Sequence, residues 1–279
     1  MSLILGFYAA VAWAFHDLFV RHITQKTPIL PMLFFVLLFG TFLLSPTVFL
    51  SPDRSMATLP AICLSVASGV IFAFSSLSLY AAFSIGPVKL VAPIISAFPV
   101  VSVGWAVLNG SLISSAQWGA VLLVVCGVAL VATLSDTSQG SIQKHRAILY
   151  SALASIGFAA TFATSQAATL VWDDSMVIFT ARTSATITIG ILIFAVKSTW
   201  MLPKNIWLRL GMLGFLDASA LAMVTRAGTM PHPEFAAVSS SLFGMLTVIL
   251  ARVFLREYMT RAQWIAVIIV FCGIGILGY

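Results

Sequence analysis

AQWGAVLLVVCGVALV, residues 116–131, returns 146 residues later as AQWIAVIIVFCGIGIL, residues 262–277, and eight of the sixteen aligned positions are identical. Trp118 coincides with Trp264, Cys126 with Cys272, and Gly127 with Gly273. An apolar segment written twice at a fixed offset is the mark of an internal duplication. Each copy is nearly long enough, with its flanks, to cross a membrane as one helix.

The rest of the chain fits that medium. Of 279 residues, 61% are hydrophobic and 8% charged, and the mean hydropathy is +1.09. Too little polar surface is available to cover a water-soluble globule. Apolar runs of roughly 17 to 25 residues match a hydrocarbon core of about 30 Å. They predict an all-α polytopic protein, because lipid offers no partner to free backbone groups and no alternating strands of barrel length are visible. The punctuation places ten helices at 3–22, 30–50, 60–80, 87–108, 116–133, 147–168, 175–196, 207–227, 234–254 and 262–278.

The longest polar connection, SDTSQGSIQKHR (135–146), is the natural midpoint. It divides the chain into a five-helix repeat over 1–134, a connecting loop over 135–146, and a second repeat over 147–279. Carried upstream, the offset brings Pro87 onto Pro233 but Lys89 onto Phe235, so hydropathy supports the repeat there more than identity does. Five crossings per half would make the second half enter the membrane from the opposite face, the inverted repeat of secondary transporters. Charge agrees: the loop NGSLISS (109–115) lacks Lys and Arg, whereas its counterpart carries Arg256 and Arg261. Arg21, Lys26, Lys144, Arg146, Lys197, Lys204, Arg209, Arg252, Arg256 and Arg261 fall on one side, and Arg54 alone on the other. The basic side is predicted to be cytoplasmic, with both termini outside. The N-terminal MSLILGFYAAVAWAF has no basic n-region and reads as a retained helix.

The net charge of +6 is scattered through short connections without a dense stripe, so topology explains it and no nucleic acid is expected. Cys63, Cys126 and Cys272 sit singly in apolar segments and read as small packing residues; no metal site, disulfide or cofactor is expected.

Polar residues inside such helices cost free energy and need a reason. In WAFHDLFVRH (13–22), Trp13, His16, Asp17 and Val20 share one face. Trp13 is either a stacking wall or packing. His16 and Asp17 are either cavity groups or interfacial residues, with Arg21 at the i+4 position from Asp17. Ser76, Tyr80 and Phe83 form a stripe on the third helix. Pro93, Ser96, Pro99 and Trp105 follow one another on the fourth, where freed carbonyls suit a cavity wall; the alternative is that the prolines only kink the helix and that Ser76 and Ser96 bond to their own preceding turn. Asp217 is the acid most central to an apolar run and must be neutral, paired or hydrated. Ser239 and Ser240 add hydroxyls on the ninth. Lys89, Arg182 and Arg252 are expected to snorkel or pair near the interfaces.

FLREYMTRAQWIAVIIVFCGIGIL (254–277) resembles the Leu-x-Glu-x-x-Thr-x-x-Gln-Trp signature of the EamA-type branch of the drug/metabolite transporter superfamily, with Leu255, Glu257, Thr260, Gln263 and Trp264 in the matching places. The first half departs from it, with Ser111 where Glu257 has its counterpart. Within that branch the chain looks most like the YddG aromatic amino-acid exporters. The resemblance implies a bacterial inner-membrane protein whose central cavity is lined by the first, third, fourth, sixth, eighth and ninth helices, with the fifth and tenth at the edge.

The expected function is therefore a secondary transporter of small metabolites, amino acids including aromatic ones, working by alternating access and as a monomer. Trp13, Tyr80, Phe83 and Trp105 would give aromatic contact; Ser76, Ser96, Ser239 and Ser240 would bond polar ends; His16, Asp17 or Asp217 would meet an amino group or a proton. A proton-coupled exporter of lipophilic cations is the alternative. A membrane-embedded enzyme is the weakest, since HExxH, GxSxG and P-loop motifs are all missing from the sequence.

Overall fold

The computed structural model describes residues 1–50, 58–108, 112, 114–135, 141–230 and 234–277, and among them every regular element is helical. The helices are α1 (Ser2–Thr24), α2 (Ile29–Leu50), α3 (Leu59–Ile85), α4 (Val88–Ser96), α5 (Phe98–Leu108) and α6 (Ser115–Leu134). They continue as α7 (Ser141–Thr169), α8 (Asp174–Ala195), α9 (Trp207–Arg226), α10 (Glu234–Ser241), α11 (Phe243–Phe254) and α12 (Arg261–Leu277). Eight helical stretches are long and apolar enough to cross a bilayer, one of them running from Val88 to Trp105 through α4 and α5; Val238–Phe254 and Arg261–Leu277 are shorter apolar stretches.

Four expectations need correction. The sixth predicted helix begins at Ser141, so residues 141–146 of the expected loop are helical, and the third runs on to Ile85 before Gly86 and Pro87 stop it. The cysteines do not pack between helices: Cys63, Cys126 and Cys272 all stand on the outer face of the bundle. Most consequentially, the fourth and ninth predicted helices are each broken in two. Arg54, Ser111 and Pro233 lie outside the described residues.

The two breaks have different local causes. Between α4 and α5 the chain turns at Ala97, whose N–H reaches back to Ile94 O at 3.3 Å. Pro99, two residues on, can donate no helical bond and its ring crowds the carbonyl four residues before it. Between α10 and α11 the turn is at Leu242, whose N–H bonds to Ser239 O at 3.3 Å, and no proline is near. There Ser241 Oγ donates to Val238 O at 2.6 Å and Ser239 Oγ to Ala236 O at 3.4 Å, side-chain bonds to the preceding turn that bend helices.

Helix starts are capped by the side chains the sequence supplies. Ser114 Oγ accepts from Gln117 N at 3.2 Å while Gln117 Oε1 accepts from Ser114 N at 2.8 Å. The same reciprocal box recurs at the start of α12, with Gln263 N to Thr260 Oγ1 at 3.2 Å and Thr260 N to Gln263 Oε1 at 2.9 Å. The repeated Gln-Trp pair thus begins with a capping requirement.

The duplicated helices α6 and α12 also pack on each other. A Cβ on Gly127 would come within 2.7 Å of Val270, and one on Gly273 within 2.8 Å of Val124. The contact is reciprocal under the 146-residue offset, and the pairing of 124 with 273 and 127 with 270 makes the two helices antiparallel. Exchange of the halves relates the other main packings too: α3 on α7 corresponds to α9 on α1, and α3 on α8 to α9 on α2. The broken helices meet where Gly244 lies against Ser96 and the Ala92 carbonyl.

Glu257, the acid of the signature, holds one end of the bundle together. Its carboxylate accepts from Val88 N at 3.1 Å and Lys89 N at 3.3 Å, so it caps α4 from another part of the chain, where the helix dipole favours a negative charge. Arg21 Nε lies 3.9 Å from Glu257 Oε1, and Arg21 also donates to Phe83 O at 2.5 Å. Lys89 Nζ donates to Tyr258 O at 2.8 Å. Arg21 is thus the partner of Glu257.

Candidate functional site

Where α1, α3, α7 and α9 converge with the two broken helices, a hollow opens in the middle of the bundle. It is lined by Trp13, His16 and Asp17 of α1, Leu33 of α2, Ser76, Leu79 and Tyr80 of α3, Phe98 of α5, Phe158 and Phe162 of α7, Asp217 of α9 and Phe243 of α11. The hollow is narrow here, with a volume of about 20 Å³ for water-sized occupants, room for one or two waters. Helices α6 and α12 contribute nothing to the wall.

Each helix break delivers an aromatic ring to this wall. Phe98 follows the turn at Ala97, and Phe243 follows the turn at Leu242. Phe162 joins them to α1: its ring centroid is 5.1 Å from that of Phe98 and 5.8 Å from that of Trp13, and Trp13 meets Phe243 edge-on at 6.0 Å. Such tilted and edge-on pairs suit the ring quadrupoles and leave ring faces for a flat solute.

Two polar clusters interrupt the aromatic wall. In the first, His16 Nδ1 is 3.0 Å from Asp17 Oδ1 and His16 Nε2 is 3.2 Å from the Tyr80 hydroxyl. A neutral imidazole satisfies both contacts, one ring nitrogen donating to Asp17 and the other accepting from Tyr80. Asp17 is 1% exposed, and its second oxygen, Oδ2, has no hydrogen-bond partner. In the second, Trp13 Nε1 donates to Asp217 Oδ1 at 3.2 Å, and Arg182 Nη1 stands 2.6 Å from Asp217 Oδ2. Arg182 is 0% exposed, with its guanidinium 5.3 Å from the centroid of Phe72. Its three nitrogens make no well-directed hydrogen bond, so charge attraction to Asp217 and the Phe72 ring hold it.

The structure brings Trp13, His16, Asp17, Ser76, Tyr80 and Asp217 together at the hollow. It places the other candidates elsewhere. Phe83 is buried outside the lining of the hollow, and its carbonyl takes the bonds from Arg21 and from Gln25 Nε2 at 3.2 Å. Ser96 Oγ donates to Pro93 O at 3.1 Å and packs against Gly244. Ser239 and Ser240 are buried in α10, with Ser239 against Gly6 of α1. Trp105 is 63% exposed, beside Trp118 in a crevice on the side of the bundle. Arg182, expected at an interface, is instead the buried partner of Asp217. The sequence reading also missed Phe98, Phe158, Phe162 and Phe243, because single phenylalanines on apolar helices carry no local sign that distinguishes cavity from core.

A buried bundle of apolar helices, two of them broken beside a central hollow, has the form of an integral membrane transporter. The chain belongs to the EamA-like transporter family, whose model matches it twice, over residues 1–133 and again over 145–279. No curated protein matches the sequence. A solved structure, described as a crystal structure of protein and no more, superposes with a TM-score of 0.71 over 99% of this chain and 95% of its own, at 15% identity. At that identity the likeness concerns the fold.

Proposed function

We propose that the protein is a secondary transporter carrying small metabolites, amino acids including aromatic ones, by alternating exposure of the central hollow. In this reading ten spans form two inverted five-helix repeats, 1–134 and 147–279, that rock about the hollow in a bacterial inner membrane. The double family match, the reciprocal antiparallel contact of α6 with α12, and the packings related by exchange of the halves support the repeat. Both ends of the bundle are interlocked, by Arg21 and Glu257 at one and by Gly6 against Ala236 and Ser239 at the other, which suits a closed state between two open ones.

The observation that carries the reading is the wall itself: four phenylalanines and Trp13 enclosing two buried carboxylates beneath two helix breaks. Irregular backbone inside a membrane is tolerated where it lines a cavity, and buried ionisable groups there mark a solute path. An aromatic side chain would lie among the rings while a polar end meets His16, Asp17, Ser76 or Asp217. The same wall suits a lipophilic cation, the second reading, since ring faces attract cations.

Counterflow in proteoliposomes decides between them. Labelled phenylalanine or tryptophan should exchange several-fold faster than in protein-free vesicles. Exchange confined to aromatic cations would move the assignment to cation export, and no exchange with amino acids, sugars or cations would overturn the transporter reading.

A further inference from the structure

Among the described residues the buried Asp, Glu, Lys and Arg side chains are three: Asp17, Arg182 and Asp217. Counted with His16 as the neutral imidazole that its two hydrogen bonds accommodate, two carboxylates share the interior with one guanidinium, and one negative charge is left without a buried countercharge. Such a charge in a low-dielectric interior is costly, and a proton or a bound cation would relieve it.

The contacts say where that cation belongs. Asp217 is already engaged at both oxygens, by Trp13 Nε1 and by Arg182 Nη1. Asp17, which lines the hollow, is engaged at Oδ1 by His16, while its buried Oδ2 meets no donor. The titratable groups lining the hollow besides Asp17 are His16, Tyr80 and Asp217, with Arg182 behind Asp217. α2, α5, α7 and α11 bring only Leu33, Phe98, Phe158, Phe162 and Phe243. Among the described residues, no basic group on the wall besides His16 competes for Asp17.

We propose that Asp17 Oδ2 is a cation subsite of the hollow, occupied in turn by a proton and by the ammonium group of the solute, while the Asp217–Arg182 pair is a fixed part of the wall. The proton binds from water as an Oδ2–H bond when the hollow lacks solute. It returns to water when an ammonium N–H takes its place, so Oδ2 has a proton or an N–H partner in both states. His16 positions the carboxylate through Oδ1 and, bonded to Tyr80, ties it to α3. The inference rests on the transporter reading and names the chemistry its solute must present, a protonated amine.

Two measurements on the purified full chain test it. Infrared difference spectra across the pH range in which exposed carboxylates stay ionised should show one protonated carboxyl band, lost in Asp17→Asn and kept in the paired variant Arg182→Gln with Asp217→Asn. The paired variant is used because Asp217→Asn alone would strand Arg182. A band that survives Asp17→Asn, or a proton that appears on imidazole instead, would overturn the proposal.

Binding is then followed with tryptamine, which has the amine only, indole-3-propionate, which has the carboxylate only, and tryptophan. Where Asp17 is protonated, apparent affinity for tryptamine and tryptophan should fall about tenfold per pH unit of acidification, one proton released per molecule bound. Asp17→Asn should flatten that slope and weaken tryptamine at least tenfold, while the paired variant, whatever its absolute affinity, keeps the slope. Equal slopes for indole-3-propionate, or no binding of either amine, would overturn the proposal. Counterflow of a solute without an amine would leave the transporter reading standing on its own.

Discussion

Arg182 Nη1 lies 2.6 Å from Asp217 Oδ2, joining α8 to α9 with the guanidinium wholly shielded from outside. Gly40 of α2 leaves the room it needs, since a Cβ there would come 2.5 Å from Arg182 Nη2. Removing one member of such a pair leaves an unmatched buried charge, a loss of about 3–5 kcal/mol. Arg182→Gln and Asp217→Asn should each lower the thermal midpoint in detergent sharply, and the combined variant should recover much of the loss. Additive losses in that double-mutant cycle would show that the two groups do not act as a pair.

Much of the bundle was legible in the sequence because membrane helices announce themselves through length and composition, and the duplication through Gln-Trp, Cys and Gly at a fixed offset. What stayed hidden was non-local. Arg182 and Asp217 are 35 residues apart in sequence on neighbouring helices, and no periodicity links them. The prolines flagged the break at Ala97, but the one at Leu242 depends on serines bonding to their own preceding turns, which looks like ordinary hydroxyl content. Asp17 and Arg21 have the spacing of a helical ion pair, yet Arg21 turns to Glu257 because the α4 N-terminus draws that carboxylate close.

Glu257 is expected to matter for its charge and its two acceptor oxygens together. Alanine removes both bonds to α4 and the partner of Arg21, at a cost of about 1–3 kcal/mol. Glutamine keeps one acceptor oxygen and should lose less. Chemical or thermal unfolding of Glu257→Ala and Glu257→Gln tests this order, and equal losses would assign the effect to charge alone.

The two capping boxes should differ in weight. Gln117 is on an exposed turn, whereas Gln263 is buried and its Nε2 also donates to Leu134 O at 2.7 Å, tying α12 to the end of α6. Gln117→Ala should cost about 1 kcal/mol or less, and Gln263→Ala clearly more, since the half-buried Leu134 carbonyl then also loses its donor. Measured stabilities in the reverse order would contradict the cross-helix role of Gln263.

Glycines separate into spacers and bystanders. A Cβ at Gly69 of α3 would collide with the Ala181 carbonyl and Ser184 Oγ of α8, so Gly69→Ala must push the helices apart, costing about 1–3 kcal/mol. At Gly119, on the outer face of α6, nothing lies within 4 Å. There Gly119→Ala should be neutral or stabilising by up to about 1 kcal/mol through helix propensity. Thermal unfolding of the two variants side by side distinguishes close helix approach from a general penalty for altering membrane glycines.

Trp13 gives the cavity wall a test that separates its ring from its N–H. Trp13→Phe keeps an aromatic surface against Phe162 and Phe243 but deletes the donor to Asp217 Oδ1. The orphaned carboxylate oxygen costs about 1–3 kcal/mol, and it becomes an acceptor open to a solute N–H. Stability should therefore fall while affinity for a protonated amine such as tryptamine holds or rises. Phe162→Ala should do the opposite to binding: it removes the ring that bridges α1 to the break at Ala97, and aromatic amines should bind about tenfold more weakly through lost ring contact. Parallel titrations of the two variants, read from the fluorescence of the remaining tryptophans, settle whether ring contact or the Asp217 hydrogen bond governs affinity; equal weakening in both would point to collapse of the hollow instead.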